Sequence, residues 1–228
     1  MDAKPTSLTT GSMADLEVRF VAFSLRNDHL HVLLAPAALP NLWEIPGAPF
    51  QADLSLEDTA AGHLEELTGL RESYLEQLYT YGEPGRYPGG QSVSVAYFAL
   101  IPAGMAEAQS LNQDAAQSRW FPADQLPSLT GDHAEILAYA MRRLRYKLEY
   151  SAVGFQLLPE AFTLSELQKT YEMILGEDLD KRNFRRRILE ADIIEETDQF
   201  RIGEGRPARL FRYRADAVAE VKTRRLFP

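Results

Sequence analysis

The sequence predicts an α/β protein in two parts: an α/β/α sandwich followed by a small helix–turn–helix domain with a hairpin wing. Three observations predict it. Strand-like runs interleave with two helical patterns between residues 15 and 149, and a sheet of that kind must be covered by its helices. A different pattern then begins, two short amphipathic helices followed by two β-rich runs around a polar segment. Charge divides at the same place. From Glu160 onward fourteen basic residues balance fourteen acidic ones, so residues 1–159, with ten basic against nineteen acidic, carry the whole net charge of −9. Halves of unlike charge point to unlike partners.

Composition sets outer bounds. With 45% hydrophobic and 25% charged residues the chain has the make-up of a globular protein. It contains no cysteine, which excludes disulfides, thiolate metal sites and thiol catalysis. A reducing cytoplasm is the expected compartment. No apolar run reaches the roughly 18 residues of a membrane span. Residues 1–14 are polar, without the apolar segment of a secretory signal, and are expected to form a flexible tail.

In the first half, Val18–Leu25 and Leu30–Leu34 read as strands joined by the turn Arg26-Asn27-Asp28. Leu42-Trp-Glu-Ile-Pro-Gly-Ala48 is a tight turn after an aromatic. Leu56, Ala60, Leu64 and Leu67 recur at helical spacing, with Ser55 placed to cap the start and Gly69 to stop the end. Tyr74–Tyr81 and Ser92–Ile101 read as strands around the Gly/Pro-rich loop 82–90. A second helix is predicted from Asp132 to Tyr150, with Ile136, Leu137, Ala140, Leu144 and Leu148 as its apolar stripe.

In the second half, Thr163 and Glu166 form a capping-box pattern ahead of Leu167, Tyr171 and Ile174, and Gly176 ends that helix. The next helix, Asp180-Lys-Arg-Asn-Phe-Arg-Arg-Arg-Ile-Leu189, sets cations on one side and Phe184, Ile188 and Ala191 on the other. Ile193-Ile194 and Leu210–Tyr213 then flank a basic loop containing Arg206-Pro-Ala-Arg209. A basic helix with a basic hairpin is how a winged helix holds duplex DNA, its helix in the major groove and its loop on the backbone. The plainer reading of such a run is a solvated arginine face. On the DNA reading Lys181, Arg182, Asn183, Arg185 and Arg186 supply groove and phosphate contacts, with Arg182 or Arg186 able to pair bidentately with guanine. Arg206 and Arg209 act on the wing. Thr163 and Ser165, at a helix start, are placed to donate to phosphate.

Trp43-Glu-Ile-Pro-Gly-Ala48 through Glu65-Glu-Leu-Thr-Gly-Leu70 resembles a Nudix box, the loop–helix–loop that holds metal and diphosphate in Nudix hydrolases. Aligned on Gly69 and Leu70, the family's opening Gly falls on Ala48 and its first Glu on Leu54. Its Arg-Glu pair falls on Gly62 and His63, and its Glu-Glu pair on Glu66 and Leu67. Only Glu66 of these acids remains. Hydrolysis of this kind needs clustered carboxylates for Mg²⁺, which prefers oxygen ligands, so His63 is a poor replacement and reads as a helix residue without a ligand role. The loop Tyr81–Tyr97 resembles the segment that carries Gly-Arg-Asp-Pro-Arg-Gly in related Nudix proteins. Arg86 is kept, while the Asp and second Arg fall on Tyr87 and Gly89. Arg86 is expected to meet a phosphate, and a plain hairpin loop is the equal alternative. Trp43 and Tyr97, and with them Trp120, are candidates for stacking on a base, with core positions as the alternative.

Joined, the two halves resemble the NrtR family of Nudix-related transcriptional regulators. The strongest matches are Leu157–Gln168, Leu179–Ile188 and Gly205–Tyr213. The resemblance implies a Nudix-like sensor at 15–149 and a winged-helix DNA-binding domain at 150–228. It implies a cleft, including Trp43, Gly47, Glu66, Arg86 and Tyr97, that senses ADP-ribose or a related nucleotide or sugar metabolite. It further implies a homodimer on a palindromic operator, most often as a repressor of NAD metabolism, and neither a catalytic residue, a bound metal nor a cofactor. Two alternatives stay open: a working Nudix hydrolase drawing ligands such as Glu83 or Glu44 from outside the box, and a protein-interaction module.

Overall fold

The computed structural model describes residues 15–86, 92–105, 118–202, 207–214 and 216–217. The tail at 1–14, Tyr87, Gly89 and Arg206 lie outside the described residues. The first hairpin pairs β1 (Asp15–Arg26) with β2 (His29–Pro36). Asn27 and Asp28 turn it with φ of 46° and 64°, the left-handed geometry that two-residue hairpin turns require and that these residue types tolerate. Two short strands follow, β3 (Trp43–Glu44) and β4 (Gly47–Pro49), then α1 (Leu56–Thr68). The Ser55 hydroxyl accepts from the Asp58 amide, and Gly69 closes α1 at φ 72°.

β5 (Tyr74–Tyr81), β6 (Ser92–Ile101) and β7 (Arg119–Pro122) complete a seven-stranded mixed sheet with the central order β3-β2-β1-β6-β5. β4 pairs with β1, and β7 with β2. β1 runs parallel to β6 at the centre, and its alternation supplies both faces. Val18, Phe20 and Ala22 meet Ala60 and Leu64 of α1. Val21, Phe23 and Leu25 belong to the opposite core with α2 (His133–Tyr150), whose predicted stripe Ile136, Leu137, Ala140, Leu144 and Leu148 is fully buried. The expected sandwich is therefore present, with a helix on each face.

The second half is α3 (Leu164–Leu175), α4 (Lys181–Glu190) and a two-stranded wing, β8 (Ile194–Arg201) with β9 (Ala208–Tyr213). Both arms of the expected capping box form on α3. Besides the short strands β3, β4 and β7, a 3₁₀ turn, Ala152–Leu157, between α2 and α3 was not anticipated. It contributes Ala152, Val153, Phe155 and Leu157 to a core that runs without interruption from the sheet to Tyr171, Phe184, Ile188 and Phe211. The Arg145 Nε donates to the Ile174 carbonyl at 2.8 Å, and Lys169 pairs with Asp28 at 2.5 Å, so the middle and the last turn of α3 are fastened to the first half.

Gly154 sits at the tightest point of that joint. A Cβ there would lie 2.7 Å from Leu148 Cδ2 and 3.0 Å from Tyr171 Cε2. Both neighbours are fully buried, so neither has room to yield. Gly154→Ala is expected to destabilise the protein by about 1–3 kcal/mol, the usual cost of overpacking a filled core. Urea denaturation followed by far-UV circular dichroism measures it, and a shared core calls for both halves to weaken together.

Candidate nucleic-acid interface and ligand cleft

The exposed face of α4 begins with its cap. Asp180 accepts from the Asn183 amide at 2.7 Å and starts the helix, while Phe184 and Ile188 anchor it in the core. Helical periodicity then turns Lys181, Arg182 and Arg186 outward, all exposed. Arg186 donates to Asn183 Oδ1 at 2.9 Å and to Glu190 at 3.3 Å, which holds its guanidinium along the helix surface. Arg185 is half-buried and donates to the exposed Ser165 hydroxyl at 3.0 Å, joining the start of α3 to α4. Five of the predicted residues are thus brought together on one surface, with Ser165 beside them. Thr163 departs from expectation. It is 6% exposed and its hydroxyl accepts the Glu166 amide at 3.1 Å, so it serves the capping box instead of facing a phosphate.

On the wing, Arg209 is exposed, pairs with Glu196 and lies over the Phe200 ring at 5.3 Å. Arg201, which the sequence reading passed over, reaches back to Glu166 at 3.2 Å. Glu166 also accepts the Thr163 amide at 2.7 Å, so one carboxylate caps α3 and pins the wing to it. Nothing in the sequence pairs residues 166 and 201; only the fold brings them together.

In the first half a cleft of about 470 Å³ opens beside α1 and the turn that precedes it. Its walls are Ala35–Ala38, Glu44, Pro46, Gly47, His63, Leu67 and Ser118. The volume lies within the range of small-molecule sites. Gly47 lines it as expected. Its missing side chain is required, since a Cβ would stand 2.6 Å from Arg19 Cγ. His63 also lines it, as a half-buried helix residue edge-on to Phe20 at 5.6 Å and 3.1 Å from Glu66. Glu66 is mostly solvent-facing, its side chain 76% exposed. Leu67 occupies the wall where the family motif asks for a carboxylate, so the donor set does not fit Mg²⁺.

Four residues expected to contact the ligand are engaged elsewhere. Tyr97 is buried in the core with Phe20 and Leu64, where burial pushes its phenol up, and it does not reach the cleft. Trp43 packs edge-on to Phe121 at 4.7 Å and under Arg119, while Trp120 is likewise half-buried, beneath Arg26. Arg86 is almost wholly buried. Its Nε and Nη2 donate to the two Asp132 oxygens at 2.9 and 3.0 Å, and its Nη1 donates to Ser94 at 2.9 Å. A planar guanidinium used bidentately in this way is a fastener between the β5–β6 connection and the N-cap of α2.

A second arginine extends the cluster. Arg19 donates from Nε and Nη2 to Glu17, both at 2.9 Å, and from Nη1 to the Ile45 carbonyl at 2.6 Å. Burial alone would raise the Glu17 carboxyl, but Arg19, the Ser94 hydroxyl and Arg86 hold it below its ordinary value. The Ile45 amide donates to His133 Nδ1 at 3.0 Å. Burial, with Arg19 and Arg86 nearby, lowers His133 from 6.5 to about 3. A histidine neutral in the fold but protonated in the unfolded chain contributes stability above pH 6.5, and that stability is lost as pH falls from there toward 3. Glu17 acts in the same direction. Taking the protein from pH 7 to pH 4 is expected to remove on the order of 3 kcal/mol through His133 alone. Chemical denaturation across that window, compared with His133→Asn, which keeps an acceptor but does not titrate, isolates the contribution.

Comparison with known proteins follows the same division. Residues 15–144 match the model of the NUDIX domain, and residues 154–213 match that of the NrtR DNA-binding winged helix domain. The chain is 38% identical over 216 residues to the ADPR responsive transcriptional repressor NtrR of Acinetobacter baylyi, covering 92% of this chain and 83% of the relative. The crystal structure of Shewanella oneidensis NrtR complexed with a 27mer DNA superimposes with a TM-score of 0.81 at 34% identity, over 90% of this chain and 96% of that one. A MutT/nudix family protein from Enterococcus faecalis gives 0.71 at 26% identity, over 90% and 89%.

Proposed function

Because this chain belongs to the NrtR family of Nudix-related regulators, we propose that it is a transcriptional repressor that binds duplex DNA through α4 and the wing and releases it on binding ADP-ribose in the Nudix-like cleft. The observation that carries this reading is the exposed cationic face of α4, Lys181, Arg182 and Arg186, set opposite a fully buried Phe184–Ile188 anchor. A helix so anchored presents its side chains rigidly to base edges, with Ser165, Arg185 and Arg209 at the flanks for phosphate. Residues 15–149 would act as the sensor and 150–228 as the DNA-binding half. Two copies on a palindromic site, in the compartment that holds the DNA, complete the arrangement.

The cleft supports binding more than hydrolysis. Gly47, Glu44, His63 and Ser118 offer polar contacts around an apolar wall, but Ala48, Leu54, Gly62, His63 and Leu67 stand where the hydrolase motif has its glycine, acids and arginine. The ADP-ribose assignment follows the name of the Acinetobacter relative. With Mg²⁺ and ADP-ribose the protein is expected to release no AMP; steady, Mg²⁺-dependent release would establish the hydrolase reading in its place.

The DNA assignment is tested by selecting bound duplexes from a random library, then measuring variants on the enriched site. Arg182→Ala and Arg186→Ala are each expected to weaken binding by about 1–3 kcal/mol while ADP-ribose affinity, read by calorimetry, stays unchanged. Retention of full affinity by both variants would move the interface off α4. Binding that ignores salt would point to a protein partner, since phosphate contacts impose a steep salt dependence.

A further inference from the structure

The segment Trp43–Gly47 is a strap with the cleft on one side and α2 on the other. Glu44, Pro46 and Gly47 line the cleft. Toward the sheet the strap is held by the Arg19 Nη1 on the Ile45 carbonyl, and by the Phe20 amide on the Pro46 carbonyl at 3.0 Å. Toward α2 the Trp43 amide donates to Ser128 and the Thr130 amide to Trp43, both at 2.9 Å, ahead of the helix. The next contact is with the helix itself: the Ile45 amide donates to Nδ1 of His133, the first residue of α2. Because an N–H donates to that nitrogen, the ring is neutral with its proton on Nε2. His133 is fully buried, so water cannot replace the bond if it breaks. At its far end the same helix donates from Arg145 to the last turn of α3 and packs Leu148 on Gly154.

We propose that His133 transmits occupancy of the cleft to the DNA-binding half, by tying the strap to the first turn of α2. The inference rests on the regulatory reading above and names the contact through which it operates. A ligand seated against Glu44, Pro46 and Gly47 pushes on a strap whose inner face carries the Ile45–His133 bond. Movement of the strap must then either break that bond or carry the start of α2 with it. Both partners are buried, so a broken bond would leave the Ile45 amide without water, and the helix follows instead. His133 is a positioning residue in this scheme: it touches neither ligand nor DNA.

The test measures coupling, not stability. In the parent protein ADP-ribose should weaken operator binding by a factor on the order of 5–150, the usual span of allosteric coupling. His133→Leu, which removes the acceptor, should bring that factor to about 2 or less while affinity for DNA alone and for ADP-ribose alone each stays within about threefold. His133→Asn, which restores an acceptor near the Nδ1 position, should recover the coupling. A folded His133→Leu protein that keeps the full factor overturns the proposal. Should the leucine variant not fold, His133→Gln, whose acceptor is displaced by one methylene, takes its place with the same criterion.

A second arm needs no ligand. Gly47→Ala places a Cβ against Arg19 and displaces the strap away from the sheet. It should change operator affinity at least about threefold in the parent and leave it unchanged in the His133→Leu background, a non-additive double-mutant cycle. Additive effects overturn the proposal. A parent protein that ignores ADP-ribose but shows the non-additive cycle overturns only the effector assignment.

Discussion

Everything in this molecule hangs on the sharing of α2 between two halves that the sequence presents as separate. Its buried stripe closes one face of the sheet, and the same residues continue through the 3₁₀ turn into the helix–turn–helix core. Interiors are packed as tightly as organic crystals, so a core without a break allows no loose hinge between the halves. Gly154 marks the constraint most sharply, because only a hydrogen fits between Leu148 and Tyr171. The cationic surface of α4 is rigid relative to the cleft for that reason, and any movement of one must involve the other.

The buried charges bear on the same constraint from the sensor side. Glu17, Arg19, Arg86 and Asp132 lie in or near the interior, where isolated ions are costly. Each is matched: Arg19 to Glu17 and the Ile45 carbonyl, Arg86 to Asp132 and Ser94. Such clusters are weak evidence for net stability, since an apolar replacement often does as well. Their effect is geometric. A bidentate guanidinium specifies direction as well as distance, and these two fix the strap, the start of β6 and the N-cap of α2 in one arrangement. Arg86, read from the sequence as a loop cation, here points inward and holds the frame.

Local signals were legible in the sequence, and long-range ones were not. Ser55, Gly69, Thr163 with Glu166, and Gly176 act within a few residues of themselves, and each appears where its cap chemistry requires. The helical stripes of α2 and α4 were equally readable, because burial at period 3.6 is written into the chain itself. Tyr97 and Thr163 show where that logic stops. Whether an aromatic stacks on a ligand or on a phenylalanine depends on what crosses over it, here α1 lying on β6. Arg86 likewise reads as an exposed loop cation until Asp132, forty-six residues away, is placed beside it. His133 and Arg201 carry no local pattern at all, and their partners lie 88 and 35 residues away.

Rigidity and response are compatible if the moving part is long. α2 spans 18 residues, so it is about 27 Å long, and a tilt of about 10° at its first turn displaces its far end by roughly 5 Å. Two recognition helices on a palindromic site must hold a spacing near 34 Å to sit in successive major grooves. A displacement of several ångströms in each copy spoils that spacing without unfolding either domain. The ligand then has only to favour the tilted arrangement over the aligned one, because a ligand shifts an equilibrium by its difference in affinity for the two states and by nothing else. A degenerate hydrolase cleft suits that task. On the proposed reading, a cleft lacking the motif's clustered carboxylates leaves its strap to answer to how the ligand fits, and a stiff helix carries the answer to DNA.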